Sequence, residues 1–375
     1  MRIQVSRDFS SVRAVIKVIG VGGAGGNAIN RMAEAGIQGV ELIAANSDAQ
    51  DLRRNLAEVK IQVGSEGLGV GGDPSKGRSA MLQTEEEVRE YLQGANLVFV
   101  TAGMGGGTGT GGAPIVARLA KEMGALTIGV VTRPFEFEKL NRAAIADQGI
   151  QEMRQNVDTL LVIPNQRLLE IIDHDTTADA AFKLADDVLL RSIRSISDVL
   201  TSSGQINMDL NDLRAIMKDA GDALIGMGEA SGLGRALKAA KAAVQSPLLE
   251  NVVMDGAKGL IINITGSKAG AASLKLSEIE EATAYITGAA SPDAKTKPGY
   301  AYDDALADAI RITVIATGFP ARRRSLARLG HRAGSALAPR APRHPLDAEP
   351  ARGAASPPED WSKPAFMRLK VRRLK

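Results

Sequence analysis

The chain has 375 residues, room for two ordinary domains, and no cysteine, which excludes disulfide scaffolds, zinc–thiolate sites and thiol nucleophiles; three histidines are too few for a histidine-rich metal site. The net charge of +3 averages two opposite parts, +10 over residues 321–375 and −7 over residues 1–320, so the basic balance belongs to the tail and gives no evidence of a nucleic-acid groove on the body. With neither a leader-like start nor a run of about 18 apolar residues, a cytoplasmic protein that touches membrane only indirectly is expected.

After an extension over 1–13, AVIKVIG (14–20) reads as a buried strand, and Gly20 to Gly26 as a glycine turn into a helix near 27–35. Strand-then-loop patterns recur at 39–48, 95–103 and 125–132. Short apolar strands alternating with helices predict a parallel sheet covered on both faces. Apolar residues from Ala181 to Leu200 fall at helical spacing and predict one long, largely buried helix over 178–202. A helix from about 210, strands at 259–266 and 311–318, and a helix near 277–287 predict a second, smaller α/β domain over 203–320. The expected fold is therefore α/β, a parallel-sheet domain over 14–177 joined by a central helix to the smaller domain. Beyond it the composition turns to Arg, Ala and Pro, too poor in apolar surface to offset ordering entropy, so 321–357 reads as a disordered basic linker. Apolar residues return over 358–375, as expected of a short partner-binding peptide.

The strongest chemical signal is the run from Gly103 to Pro114, which follows a strand and precedes the helix PIVARLAKEM. Glycines let successive N–H groups turn onto an anion, Thr108 and Thr110 add hydroxyls, and the helix N-terminus adds positive potential. This reads as a phosphate cradle, and the absence of GxxxxGK[ST] disfavours a P-loop enzyme. Gly20-Val-Gly22-Gly-Ala-Gly25 fits the dinucleotide fingerprint, which leaves a nicotinamide oxidoreductase open. That fold wants an acid at the end of the next strand; Glu41 precedes the strand and Asp48 follows it, and the second glycine cluster has no role there. Gly67 to Pro74 is a third glycine loop, able to close over a terminal phosphate. Asp209 and Asp212, in Asn207-Met-Asp-Leu-Asn-Asp212, open a helix. They read as helix caps by residue type, or as two carboxylates on one face that polarise a water.

Taken together, GVGGAGGNA (20–28), NSDAQ (46–50), GLGVGGDP (67–74), GGGTGTG (105–111), RPFEFE (133–138), IPN (163–165) and NMDLND (207–212) resemble the tubulin/FtsZ superfamily, and FtsZ within it, from about Arg13 to Gly318 and again at 360–370. The resemblance implies a cell-division GTPase that binds GTP and GDP with Mg²⁺ held through the phosphates and not by protein ligands alone. Gly105, Gly106, Gly107, Thr108, Gly109, Thr110 and Gly111 would hold the α- and β-phosphates. Gly22, Gly23, Gly26, Asn27, Asn46, Asp48 and Thr132 would line the nucleotide, and Gly71 and Gly72 would approach the γ-phosphate. Glu138, Arg142 and Asn165 would face ribose and phosphates, Phe182 would stack on the base, and Asp186 would accept the guanine N–H donors, with Asp187 one position away. Asp209, Asp212 and Asn207 would serve the GTP of the next subunit in a head-to-tail homopolymer. Asp360, Trp361, Pro364, Phe366, Met367 and Arg368 would dock division-site membrane tethers and regulators, and no nucleic-acid partner is implied. A non-hydrolysing structural paralogue keeps the same fold. The chain departs from the family pattern at Lys139, Gln166, Arg191, Ser192, Ser195, Ser362 and Lys363.

Overall fold

Ile16–Val21 (β1) is buried at all six positions, as a strand covered on both faces requires. It opens a run of strand–helix units: α1 (Gly22–Glu34), β2 (Glu41–Asn46), α2 (Ala49–Arg54), β3 (Val59–Gln62), α3 (Pro74–Gln83), α4 (Glu85–Leu92), β4 (Leu97–Gly103), α5 (Thr108–Glu122), β5 (Leu126–Arg133), α6 (Leu140–Asn156), β6 (Thr159–Pro164) and α7 (Asn165–Leu168). The long helix α8 (Ala178–Thr201) follows, then α9 (Leu210–Met217), β7 (Gly221–Ala230), α10 (Arg235–Val244), β8 (Gly259–Gly266), α11 (Leu276–Gly288), β9 (Lys295–Tyr302) and β10 (Ile310–Thr317). These come from a computed structural model that describes residues 14–138, 140–170, 172, 175–201, 209–249, 256–268 and 273–319. The expectations for Asn207, Lys139, the linker over 321–357 and the terminal peptide with Asp360, Trp361, Pro364, Phe366, Met367 and Arg368 lie outside the described residues.

Among the described residues the strands form one mostly parallel sheet in the order β3-β2-β1-β4-β5-β6-β7-β10-β8-β9. Its two halves meet where β6 pairs with β7 over only three residues, Thr159 to Leu161 against Gly221 to Ala223. The single antiparallel element is β10, which runs against both β7 and β8. Helix α8 crosses this narrow junction: Val188, Leu189, Ile193, Ile196 and Val199 share a core with Ile163 of β6, Leu213 of α9, Ile261 of β8 and Ile315 of β10. Helices α3 to α6 cover the opposite face of the first half, and α10 and α11 that of the second.

Strand order reverses between β1 and β4, with α1 packed on one face and α5 on the other. A crevice therefore opens at the carboxyl ends of these two strands, the place where open α/β sheets hold ligands. Two sequence boundaries shift there. Helix α1 begins at Gly22 and not near 27, and α5 begins at Thr108, six residues before Pro114, which sits inside it. The glycines weaken local helix preference, but packing against the strands overrides propensity. Strands β3, β6, β7 and β9 add to those read from the sequence.

Candidate functional site

The crevice forms a cleft of about 230 Å³ whose walls include Val21, Gly23 and Ala24 of the α1 start, Gly106, Gly107, Thr108 and Gly109 of the α5 start, and Thr132 at the end of β5. The two helix N-termini abut, since a Cβ on Gly22 would lie 2.9 Å from the Gly109 amide nitrogen. Two positive helix ends thus converge on one space, which suits a polyanion. Gly106 has open space on its Cβ side, whereas Gly107 is pressed against the third glycine loop: a Cβ there would meet Val70 Cγ2 at 2.5 Å and the Asp73 nitrogen at 2.9 Å. That loop carries Gly71 and Gly72, both in the left-handed region and facing open space.

A second link joins the same parts. Ser47 Oγ and Thr108 Oγ1 lie 2.6 Å apart, both buried, and the Ser47 carbonyl accepts the Gly69 N–H at 3.0 Å. Ser47 was not singled out by the sequence; its only signal was its place in the Asn46-Ser-Asp48 turn. The neighbours of Ser47 are occupied locally. Asn46 Nδ2 donates to Asp51 at 2.6 Å, and Asp48 caps α2 by accepting from the Gln50 and Asp51 amides. Thr110 Oγ1 accepts the Gly105 N–H at 2.9 Å and shapes the cradle from inside. Gly26 turns away, its carbonyl accepting from Asn55 Nδ2 at 2.8 Å, Asn27 is exposed four positions beyond Gly23, and Gly111 packs on the backbone of α3.

The far wall is supplied by Glu138, Arg142, Asn165, Phe182 and Asp186. Glu138 accepts the Phe135 N–H and pairs with Arg142 at 3.0 Å. Asn165 is buried and its Oδ1 has no partner among the described residues, an acceptor left waiting for a donor. Phe182 meets Phe135 edge-on at 5.3 Å, and Phe135 stacks on Phe137 at 5.1 Å, an aromatic trio legible only in part from the RPFEFE motif. Asp186, and not Asp187, lines the cleft; burial pushes its carboxyl up to about 7. A half-buried carboxyl and a buried amide oxygen, both without a donor among the described residues, together with convergent helix N-termini fit a purine nucleotide with its phosphates. The acids that a nicotinamide fingerprint would need are otherwise engaged, Glu41 with Lys17 at 3.0 Å and Asp48 as a cap.

Asp209 and Asp212 stand elsewhere. Asp209 caps α9, its Oδ1 accepting the Asp212 N–H at 2.7 Å. Helix α9 is fixed to the amino ends of the central strands: Arg214 donates to the Asn96 carbonyl just before β4 and the Gly124 carbonyl just before β5, both at 3.2 Å. The cradle leaves the carboxyl end of β4, seven residues on, or roughly 20 Å at about 3.3 Å per residue. One chain thus holds the cleft and the acid-bearing helix at opposite ends of its sheet.

Two family models match the chain, the tubulin/FtsZ GTPase domain over residues 15–173 and the FtsZ C-terminal domain over residues 221–320. FtsZ of M. jannaschii, solved as a dimer, is 40% identical with a TM-score of 0.79, the match covering 82% of this chain and 89% of that one. The chain belongs to the FtsZ family. CetZ2 of Haloferax volcanii, solved as a GTPγS-bound protofilament, is 21% identical with a TM-score of 0.67, covering 83% and 95%, and shares the fold. The departures from the FtsZ pattern are accommodated within α8: Ser192 Oγ donates to the Val188 carbonyl and Ser195 Oγ to the Ser192 carbonyl, so both buried hydroxyls are satisfied inside the helix. Gln166 accepts the Glu136 N–H at 3.1 Å beside the cleft.

Proposed function

We propose that this member of the FtsZ family is a polymerising GTPase that assembles head to tail and hydrolyses GTP between subunits. The observation that carries the reading is the separation of the phosphate cradle and Asp212 to opposite ends of one sheet. A head-to-tail contact brings such ends together, and a heterologous contact of this kind propagates into an open filament. In this reading residues 14–177 hold the nucleotide and residues 203–320 complete the neighbour's site. Gly106 to Gly109 and Thr108 cradle phosphates, Gly71 and Gly72 lie over the terminal one, Asn165 and Arg142 face the ribose and phosphates, and Asp186 accepts the guanine N–H groups that adenine lacks. Mg²⁺ bound through the phosphates would neutralise charge that develops during transfer. Asp212 then orients the attacking water, while Asp209 holds the helix start that presents it.

The dimeric state of the M. jannaschii FtsZ structure supports self-association. The reading places the protein in the cytoplasm at the division site, with the terminal peptide over 358–375 reaching membrane tethers and regulators. Phosphate release per subunit should rise cooperatively with protein concentration and coincide with light scattering, with GTP and not with ATP. Turnover per subunit that is independent of concentration would place the whole site within one chain. Scattering without phosphate release would instead mark the non-hydrolysing paralogue.

A further inference from the structure

Asp212 has a partner that the proposed function does not use. Its Oδ1 accepts a hydrogen bond from Lys297 Nζ at 2.7 Å, an ion pair between the first turn of α9 and strand β9, 85 residues apart. The two side chains are 39% and 41% exposed, so the pair lies open on the surface that carries the start of α9. Asp209 is not equivalent, because its carboxylate is committed to the helix cap. Lys297 is also anchored: β9 pairs with β8 through Ile261 opposite Lys297, so the ammonium projects from a fixed strand position.

A carboxylate moved up to a triphosphate meets like charge, and the repulsion grows as water leaves the interface. Phosphoryl transfer depends chiefly on cations placed around the transferring group. A half-site made of Asp212 alone would therefore bring the wrong sign to the phosphates. We propose that Lys297 travels with Asp212 to the terminal phosphates of the neighbouring subunit's nucleotide, as a cation supplied in trans that orients the Asp212 carboxylate and offsets charge on the phosphoryl oxygens. The inference rests on the proposed function, since Lys297 has this role only where Asp212 meets a neighbour's nucleotide. Exposed ion pairs contribute little to folding, so the lysine can be replaced without loss of the fold.

The test uses the full chain and four variants: Lys297→Met, Lys297→Arg, Asp212→Asn and the double variant Lys297→Met with Asp212→Asn. GTP affinity is measured on unassembled subunits, filament mass by sedimentation with a slowly hydrolysed GTP analogue, and phosphate release is expressed per sedimented subunit. Lys297→Met should bind GTP as the parent does and sediment, yet turn over about tenfold slower or worse, the lower end of what loss of one transition-state donor costs. Lys297→Arg should recover most of that loss. In the Asp212→Asn background, adding Lys297→Met should change turnover by less than about twofold, since residues that act as a unit are non-additive. Parental turnover in Lys297→Met beside a dead Asp212→Asn overturns the inference and leaves the proposed function standing. Failure of Lys297→Met to sediment also overturns it, by making the lysine a contact for assembly. Full turnover in Asp212→Asn sinks the proposed function itself.

Discussion

Burial pushes the Asp186 carboxyl from 3.8 up to about 7, with Arg31 pulling it down and Asp187 pushing it further up. A carboxyl whose folded value exceeds its unfolded one weakens the fold as pH rises between the two, here from about 4 to about 7, and the penalty is complete above that. Asp198, raised to about 6 by burial, acts in the same direction. The nucleotide-free protein should therefore gain from these two groups as pH is lowered from 8 to 6, read as a higher melting temperature. GTP affinity should move the opposite way, because guanine donors need the ionised carboxylate; an affinity flat between pH 8 and 6 counts against this role. Asp186→Ala should weaken GTP and narrow the preference for GTP over ATP. In the nucleotide-free protein Gly107→Ala tests the packing of the cradle: its Cβ would run into Val70 and the Asp73 amide, at a cost of about 1–3 kcal/mol in a denaturant titration.

Elements differ in how openly their sequences declare them. Strands β1, β2, β4, β5, β8 and β10 are apolar runs and read within a residue or two of their observed bounds. Strand β9, KTKPGYAY, carries two lysines and a proline because it is an edge, where such residues block further pairing. Strand β7 hides behind Gly226 and Gly228, which look like breakers. Their Cβ positions are taken by the Ala243 and Ala239 carbonyls of α10, so close helix–sheet contact demands glycine there. No pattern within β7 signals that demand; it arises from an element that follows. In the site, the glycine loops were legible because phosphate chemistry is written in local backbone, whereas Ser47 and Lys297 join residues 61 and 85 positions apart and needed the fold. Helix α8 is legible by period, but its ties to the second half are not: it shares an apolar core with Ile261 and Ile315, its Ser195 carbonyl accepts from Asn263 Nδ2 at 3.1 Å, and its Arg194 lies 3.6 Å from Asp303. Ser192→Gly in this buried helix should cost roughly 0.5–1 kcal/mol, read as a lower denaturant midpoint at unchanged slope.

At the scale of the whole molecule, one continuous sheet holds the cleft and Asp212 at opposite ends, and under the proposed function chemistry waits on a second copy. Removing residues 358–375 should leave GTP binding and hydrolysis nearly intact and abolish recruitment to a membrane tether; loss of hydrolysis on truncation would make the tail part of the catalytic body. Central to the account is a site shared between subunits, and complementation tests it most directly. Asp212→Ala keeps the cradle and loses the acid, and should fall roughly 100-fold or more in turnover. Gly106→Glu puts a carboxylate into the open side of the cradle without a packing clash, so it keeps the acid and loses phosphate binding. Each alone should be nearly inactive. Mixed, they form contacts that pair the GTP of Asp212→Ala with the intact Asp212 of Gly106→Glu, so phosphate release should return to a measurable fraction of the parent's. If the two variants sediment together in one filament and phosphate release stays at the level of the separate proteins, the site is not shared and the account is wrong.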